Sequence, residues 1–263
     1  MSSSDLWSDL LPRVISAVLM AIIGIAAIWL GGIFLDFLLI LVVAVMHWEL
    51  GSMLNPMSKQ AKWFSAFFGA FALYWALGSE SMFGCIITLL LGAAVQIGFF
   101  FNEKRTGFLV SLAILLCGYF LHSFRLDFGV GFTFWLVGLV IATDLGGYFG
   151  GRLIGGPKLI PRFSPKKTWS GAVAGWIGAL SVSVLVLIYS SLEAPLFDLL
   201  TLTVFLSVAS QAGDICESAL KRTCSIKDSS SLIPGHGGVM DRFDGLVGAS
   251  LVLGIISPLL VSI

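Results

Sequence analysis

The chain has 263 residues, 57% of them hydrophobic and only 11% charged, with a mean hydropathy of +0.99. Such a composition excludes a soluble domain of ordinary make-up and requires a membrane protein. Lys plus Arg equal Asp plus Glu at 15 each, so bulk charge points to neither nucleic acid nor an acidic partner, and the placement of the charges carries the information.

A spanning helix needs about 20 mainly apolar residues. Breaking the chain at its polar clusters predicts nine spans, over 14–31, 33–54, 63–79, 82–101, 107–123, 129–149, 171–190, 196–213 and 246–262. The first follows Arg13 without a small-residue cleavage site and is expected to be an uncleaved span, not a removed signal peptide. Only Gly31 and Gly32 separate it from the second, as in a tight helical hairpin. With the N-terminus in the cytoplasm and the spans alternating, every Lys and Arg except Arg125 falls on the inner side, as the positive-inside rule requires. The expected fold is all-α: a polytopic integral protein of the cell's inner (plasma) membrane, with about nine transmembrane helices and a cytoplasmic N-terminus.

Residues 1–128 read as a transmembrane scaffold of apolar helices, short loops and few ionisable groups. Residues 129–263 read as the catalytic region, because two cytoplasmic segments there, 150–170 and 214–245, are long and rich in Gly, Pro and charge. Cys85, Cys117, Cys216 and Cys224 show no CxxC or Cys/His spacing and read as packing residues, not zinc ligands or disulfides.

Asp144 lies inside the sixth span, and an acid in an apolar helix marks a functional site by default. It is followed by Gly146, Gly147, Gly150 and Gly151, of which Gly147 and Gly151 make a small-xxx-small packing face. Next comes Ser164-Pro165-Lys166-Lys167-Thr168-Trp169 at the start of the seventh span. Ser164, the two lysines, the Thr168 hydroxyl and the free N–H groups of a helix start suit an anion. Neither this run nor the later Gly-His-Gly-Gly turn is a Walker or dinucleotide fingerprint.

The densest chemistry runs from Gln211 to Asp244. If the eighth helix continues past the membrane, Asp214, Glu217, Ser218 and Lys221 share one face. Pro234 to Gly238 form a turn, and Asp241 and Asp244 follow three residues apart, again on one helical face. Carboxylates at a hydrocarbon boundary need a partner, and a divalent cation rewards several at once; hard oxygen ligands favour Mg²⁺ over zinc, with room for a second ion. Lys221, Arg222, Lys227 and Arg242 are then expected to bind phosphates. His236 has two readings, a catalytic group or a hydrogen bond within the turn. On the residues alone, a transporter with an intramembrane ion site also stays open, although no inverted repeat is visible.

From Ser218 to Asp244 the chain resembles the signature of the phosphatidate cytidylyltransferases. The pattern is carried by Ser218, Lys221-Arg222, Lys227-Asp228, Ser230, Ile233-Pro234, His236-Gly237-Gly238 and Asp241-Arg242-x-Asp244. Gln211, Gly213, Asp214, Glu217 and the SPKKTW run are also similar to that family. The position after Trp169, often Glu there, is Ser170 here.

The resemblance implies transfer of CMP from CTP to phosphatidate with release of pyrophosphate, a Mg²⁺ requirement and a homodimer. The expected catalytic residues are Asp214, Lys221, His236, Asp241 and Asp244. Ser164, Lys166, Lys167, Thr168, Ser218, Arg222, Lys227 and Arg242 are expected at the substrates, and Asp144, Asp214, Glu217, Asp241 and Asp244 at the metal. Within the same chemistry, the alternatives are another lipid acceptor, such as an ether lipid, and a CTP-dependent polyprenol kinase. The partners are CTP, the lipid and the bilayer, with no nucleic acid.

Overall fold

Nine long α-helices account for most of the computed structural model, which describes residues 3–100, 103–189 and 195–260. They are α1 (Ser3–Leu30), α2 (Gly32–Leu54), α3 (Lys59–Leu77), α4 (Met82–Val95), α5 (Lys104–Asp127), α6 (Gly129–Leu153), α7 (Trp169–Tyr189), α8 (Leu196–Thr223) and α9 (Met240–Leu260). Seven of the described helices are long and apolar enough to cross a membrane; α3 and α9 are not among them. α3 opens on Lys59, Gln60 and Lys62, and α9 on Asp-Arg-x-Asp, so both begin in polar sequence. The expected all-α polytopic architecture stands. Side chains such as Trp29, Ile33, Phe37, Phe83 and Leu153 lie exposed on the protein surface, tolerable only where lipid replaces water.

Two compact units make up the chain. The first comprises Met1–Val130 and Cys224–Phe243, the second Gly131–Thr223 and Asp244–Ile263. In the first, α2 packs on α3 and α5, and His47 is wholly buried, with Nδ1 2.8 Å from the Val43 carbonyl and Nε2 3.0 Å from Ser111 Oγ. The α1–α2 hairpin turns on Gly31 and Gly32, both at positive φ, where a Cβ is strained. Arg125 caps the C-terminal end of α1, donating from Nε to the Ile28 carbonyl at 2.8 Å, which meets the unpaired carbonyls of a helix end.

In the second unit α6, α7, α8 and α9 approach through small residues. A Cβ on Gly146 would lie 2.5 Å from the Ala174 carbonyl oxygen, and one on Gly150 2.2 Å from the Ala174 Cβ. The glycine run of α6 therefore packs against α7, along Gly146 and Gly150 as well as the expected Gly147 and Gly151. The loop expected over 150–170 is shorter and more ordered than it reads. α6 runs on to Leu153, and β1 (Lys158–Ile160) pairs antiparallel with β2 (Ser164–Thr168), Lys158 opposite Thr168 and Ile160 opposite Ser164. Of the cysteines, Cys85 and Cys117 are buried as packing residues are, whereas Cys216 is exposed on α8 and Cys224 half-exposed.

Candidate active site

α8 does continue beyond its apolar part, through Asp214 to Thr223, so the 214–245 segment is a loop only between Thr223 and Met240. Helical spacing places Asp214, Glu217, Ser218 and Lys221 together: Ser218 Oγ donates to Asp214 Oδ1 at 3.3 Å, and Lys221 Nζ to Glu217 Oε2 at 2.7 Å. Lys167, from the end of β2, forms an ion pair with Asp214 Oδ2. The pleat of β2 sends its neighbour Lys166 to solvent. Three predicted cations and hydroxyls thus meet predicted carboxylates in the second unit.

Asp244 joins this group because α8 and α9 nearly touch at glycines. A Cβ on Gly213 would lie 2.3 Å from the Asp244 carbonyl oxygen, and one on Gly248 2.2 Å from that of Ala209. Burial of the Asp244 carboxyl, and then the neighbouring Asp214 charge, push its pKa up to about 6. A hydrogen bond with Glu217 and one from the Gly245 N–H, at 2.7 Å, act in the opposite sense.

Thr168 is buried, and its hydroxyl accepts from the Gly171 N–H at 3.2 Å, an N-cap for α7. Ser170 donates to the Gly155 carbonyl and lies 3.0 Å from Thr168 Oγ1, tying the β-hairpin to the start of α7. Thr168→Ala is expected to lower stability by about 1 kcal/mol, measured as thermal unfolding of the detergent-solubilised protein. Ser164 is half-buried, opposite Ile160. Asp144 lies on the exposed side of α6, next to buried Thr143, whose Oγ1 is 2.8 Å from Ser207 Oγ of α8.

The first unit contains the glycine-rich turn. Gly235 and Gly237 adopt positive φ, and the Ile233 N–H donates to the Gly237 carbonyl at 2.8 Å. Asp241 Oδ2 accepts from Ser229 N at 3.0 Å, Ser229 Oγ at 3.0 Å and Gly238 N at 2.8 Å, so this carboxylate is engaged by the turn. Arg242 Nε donates to the His236 carbonyl at 3.1 Å, while Lys227 and Arg222 are exposed. His236 Nδ1 lies 2.8 Å from Ser16 Oγ of α1. Burial, and then the charges of Arg242 and Arg13, hold the imidazole below its ordinary pKa despite a hydrogen bond at Pro234. A neutral, hydrogen-bonded imidazole favours the turn-holding reading. His236→Gln should therefore reduce turnover by roughly 10-fold or less, where loss of a general acid or base costs 10²–10⁴-fold, as steady-state rates would measure.

Sequence reasoning missed Glu49. It is wholly buried near the end of α2 and receives Ser230 Oγ at 2.6 Å, Ser229 Oγ at 3.3 Å, Val239 N at 2.8 Å and Met240 N at 2.7 Å. The signal was an acid inside an apolar span, the same one that marked Asp144.

Helices long and apolar enough to cross a membrane, with lysines paired to carboxylates beside glycine-packed helices, define a polytopic membrane protein. A profile of the cytidylyltransferase family matches residues 11–259, and the chain belongs to that family. It is 36% identical over 269 residues to a phosphatidate cytidylyltransferase of Brucella suis biovar 1 (strain 1330), covering 94% of this chain and 92% of that one. The phosphatidate cytidylyltransferase of Bacillus subtilis (strain 168) is 37% identical over 169 residues, 64% of this chain and 63% of that protein. That of Haemophilus influenzae is 45% identical over 115 residues, 42% and 40% of the two chains.

Proposed function

We infer that this protein transfers CMP from CTP to the phosphate of phosphatidate, giving CDP-diacylglycerol and pyrophosphate. A phosphate oxygen of the lipid attacks the α-phosphorus of CTP, and the bond from that phosphorus to the bridging oxygen of the β-phosphate breaks. The nucleophile is already ionised near neutral pH, so no dedicated base is required. What the protein must supply is alignment of two mutually repelling anions and stabilisation of the charge on the leaving group. The observation that carries this reading is the convergence of Asp214, Glu217 and Asp244 with Lys167 and Lys221 at the end of an apolar helix.

The chemistry of this donor set suits a hard divalent cation. Burial first, and then the Asp214 carboxylate beside it, raise the Asp244 pKa to about 6; the second of these is a repulsion that a divalent cation would relieve. Among the described residues no three His, Cys, Asp or Glu side chains gather closely enough to hold a metal ion; lysine ammonium groups pair with Asp214 and Glu217 instead. Asp214 and Asp244, the two carboxylates whose charges repel, are the pair that would hold an ion, and Asp144 on α6 is proposed as a further ligand. Bound there, Mg²⁺ supplies positive charge to phosphate oxygens. Lys167 and Lys221 orient the phosphates, helped by Ser218. Lys166 and Arg222, both exposed in the same unit, are further cations for the nucleotide and lipid head group.

We place the site on the cytoplasmic side of the inner membrane, where CTP arrives from water while the lipid keeps its chains in the bilayer, and the charge asymmetry of the loops supports that orientation. The family resemblance supports a homodimer. Purified protein given phosphatidate, Mg²⁺ and CTP labelled at the α-phosphorus tests the assignment. Label in the lipid together with free pyrophosphate is expected. Release of labelled CDP would instead indicate a kinase, and no labelled lipid would overturn the reaction.

A further inference from the structure

We propose that Glu49 is a positioning residue for the reaction: from α2 it clamps the glycine-rich turn and the first turn of α9, and so fixes the carboxylates that α9 carries. The four donors it accepts come from both ends of the turn, Ser229 and Ser230 at one side and the Val239 and Met240 N–H groups at the other. Two of these are the unpaired backbone donors of a helix start. Glu49 therefore caps α9 from a distant helix, and its negative charge sits at the positive end of that helix. Asp241 closes the same arrangement from the other side, through Ser229 and Gly238.

The glycines record how tightly this clamp is built. A Cβ on Gly238 would lie 2.0 Å from Ser229 Oγ and 2.3 Å from Glu49 Oε1, and one on Gly237 2.6 Å from Asp241 Oδ2. Gly238 has no need of a positive φ. Its lack of a side chain is explained by the carboxylate that fills the space. A wholly buried carboxylate is costly unless fully hydrogen-bonded, and every donor given to it here belongs to one short stretch preceding the α9 acids. Asp241 lies in the first turn of that helix and Asp244 one turn on.

The proposal rests on the reading that the α9 acids serve Mg²⁺-dependent transfer, and it is tested in the full-length protein in detergent or nanodiscs. Glu49→Gln keeps the shape but puts an N–H₂ against backbone donors; Glu49→Asp keeps the charge and shortens the reach. Expected for Glu49→Gln are amide hydrogen exchange at Val239 and Met240 faster by about 10-fold, measured without Mg²⁺ or substrate, and a half-saturating Mg²⁺ concentration raised by roughly 10-fold. The KM for CTP should change less than kcat. Glu49→Asp should recover part of both effects.

If Glu49→Gln does not yield folded protein, Ser230→Ala decides, through the same two readouts moving in the same direction by a few-fold. Folded variants with wild-type exchange at 239–240, or activity falling only with the folded fraction at unchanged Mg²⁺ dependence, overturn the proposal. If the wild-type protein shows no Mg²⁺-dependent transfer, the assigned reaction fails, and the exchange measurement still judges the clamp.

Discussion

Asp244→Asn is expected to abolish CMP transfer, by about 10³-fold or more, while making the metal-free protein more stable near neutral pH. Both effects have one cause. The pKa of Asp244 is raised from 3.8 to about 6 by burial and by the Asp214 charge. A group whose folded-state pKa lies above its unfolded value contributes stability fully below the unfolded value and loses it as pH rises through the folded one. Without a cation, the wild-type protein should lose stability between pH 3.8 and about 6, by an amount on the order of 3 kcal/mol. The asparagine variant, with no charge to place there, should lack that pH dependence. Mg²⁺ added above pH 6 should stabilise the wild-type protein and leave the variant unchanged. Thermal unfolding followed from pH 4 to 8, with and without Mg²⁺, measures all three. An asparagine variant with near-wild-type turnover would remove Asp244 from the reaction.

That residue was visible in the sequence, and why it was visible shows where sequence reading succeeds. Asp214, Glu217, Ser218 and Lys221 recur at helical spacing, and their placement on one face of α8 needs no knowledge of any other element. The same holds for the seven described helices that are long and apolar enough to cross a membrane, since long apolar runs bounded by charge carry their own period and length. The β-hairpin was not legible, because strands of 3 and 5 residues, one followed by Pro161 and the other containing Pro165, look like any loop. Thr168 was recognised as standing at a helix start, but whether its hydroxyl serves a ligand or its own helix depends on how the chain enters that helix. Glu49 escaped for a different reason. Its nearest partner in sequence is Ser229, 180 residues away, and nothing local in α2 indicates which turn it caps. Gly238 could be read as part of a turn, but not as the place that a buried carboxylate requires to be empty.

Gly213→Ala should nearly eliminate activity and measurably destabilise the protein, although the change adds one methyl group. In a membrane, helices associate largely through close packing, and small residues set how near two backbones come. The added Cβ would meet the Asp244 carbonyl oxygen at 2.3 Å and the Gly248 backbone at 3.0 Å. Because these are main-chain atoms, no rotamer change can make room, and α8 and α9 must separate. Overpacking of this kind costs about 1–3 kcal/mol. The functional loss should exceed what that figure suggests, because Asp214 is the next residue on α8 and Asp244 is the very residue displaced. A shift near 1 Å between reacting groups costs on the order of 10²-fold. The informative comparison is Gly24→Ala, on α1, where a Cβ would meet nothing within 4 Å and neither stability nor rate should fall. Separation of the helices also predicts a spectroscopic consequence: the elevated Asp244 pKa should move back toward 3.8 in Gly213→Ala, since the neighbouring Asp214 charge recedes and water reaches the carboxyl. Carboxyl infrared bands titrated with pH would report that shift, and an Asp244 that still titrates near 6 in the alanine variant would show that the two carboxylates are not held together by this helix contact.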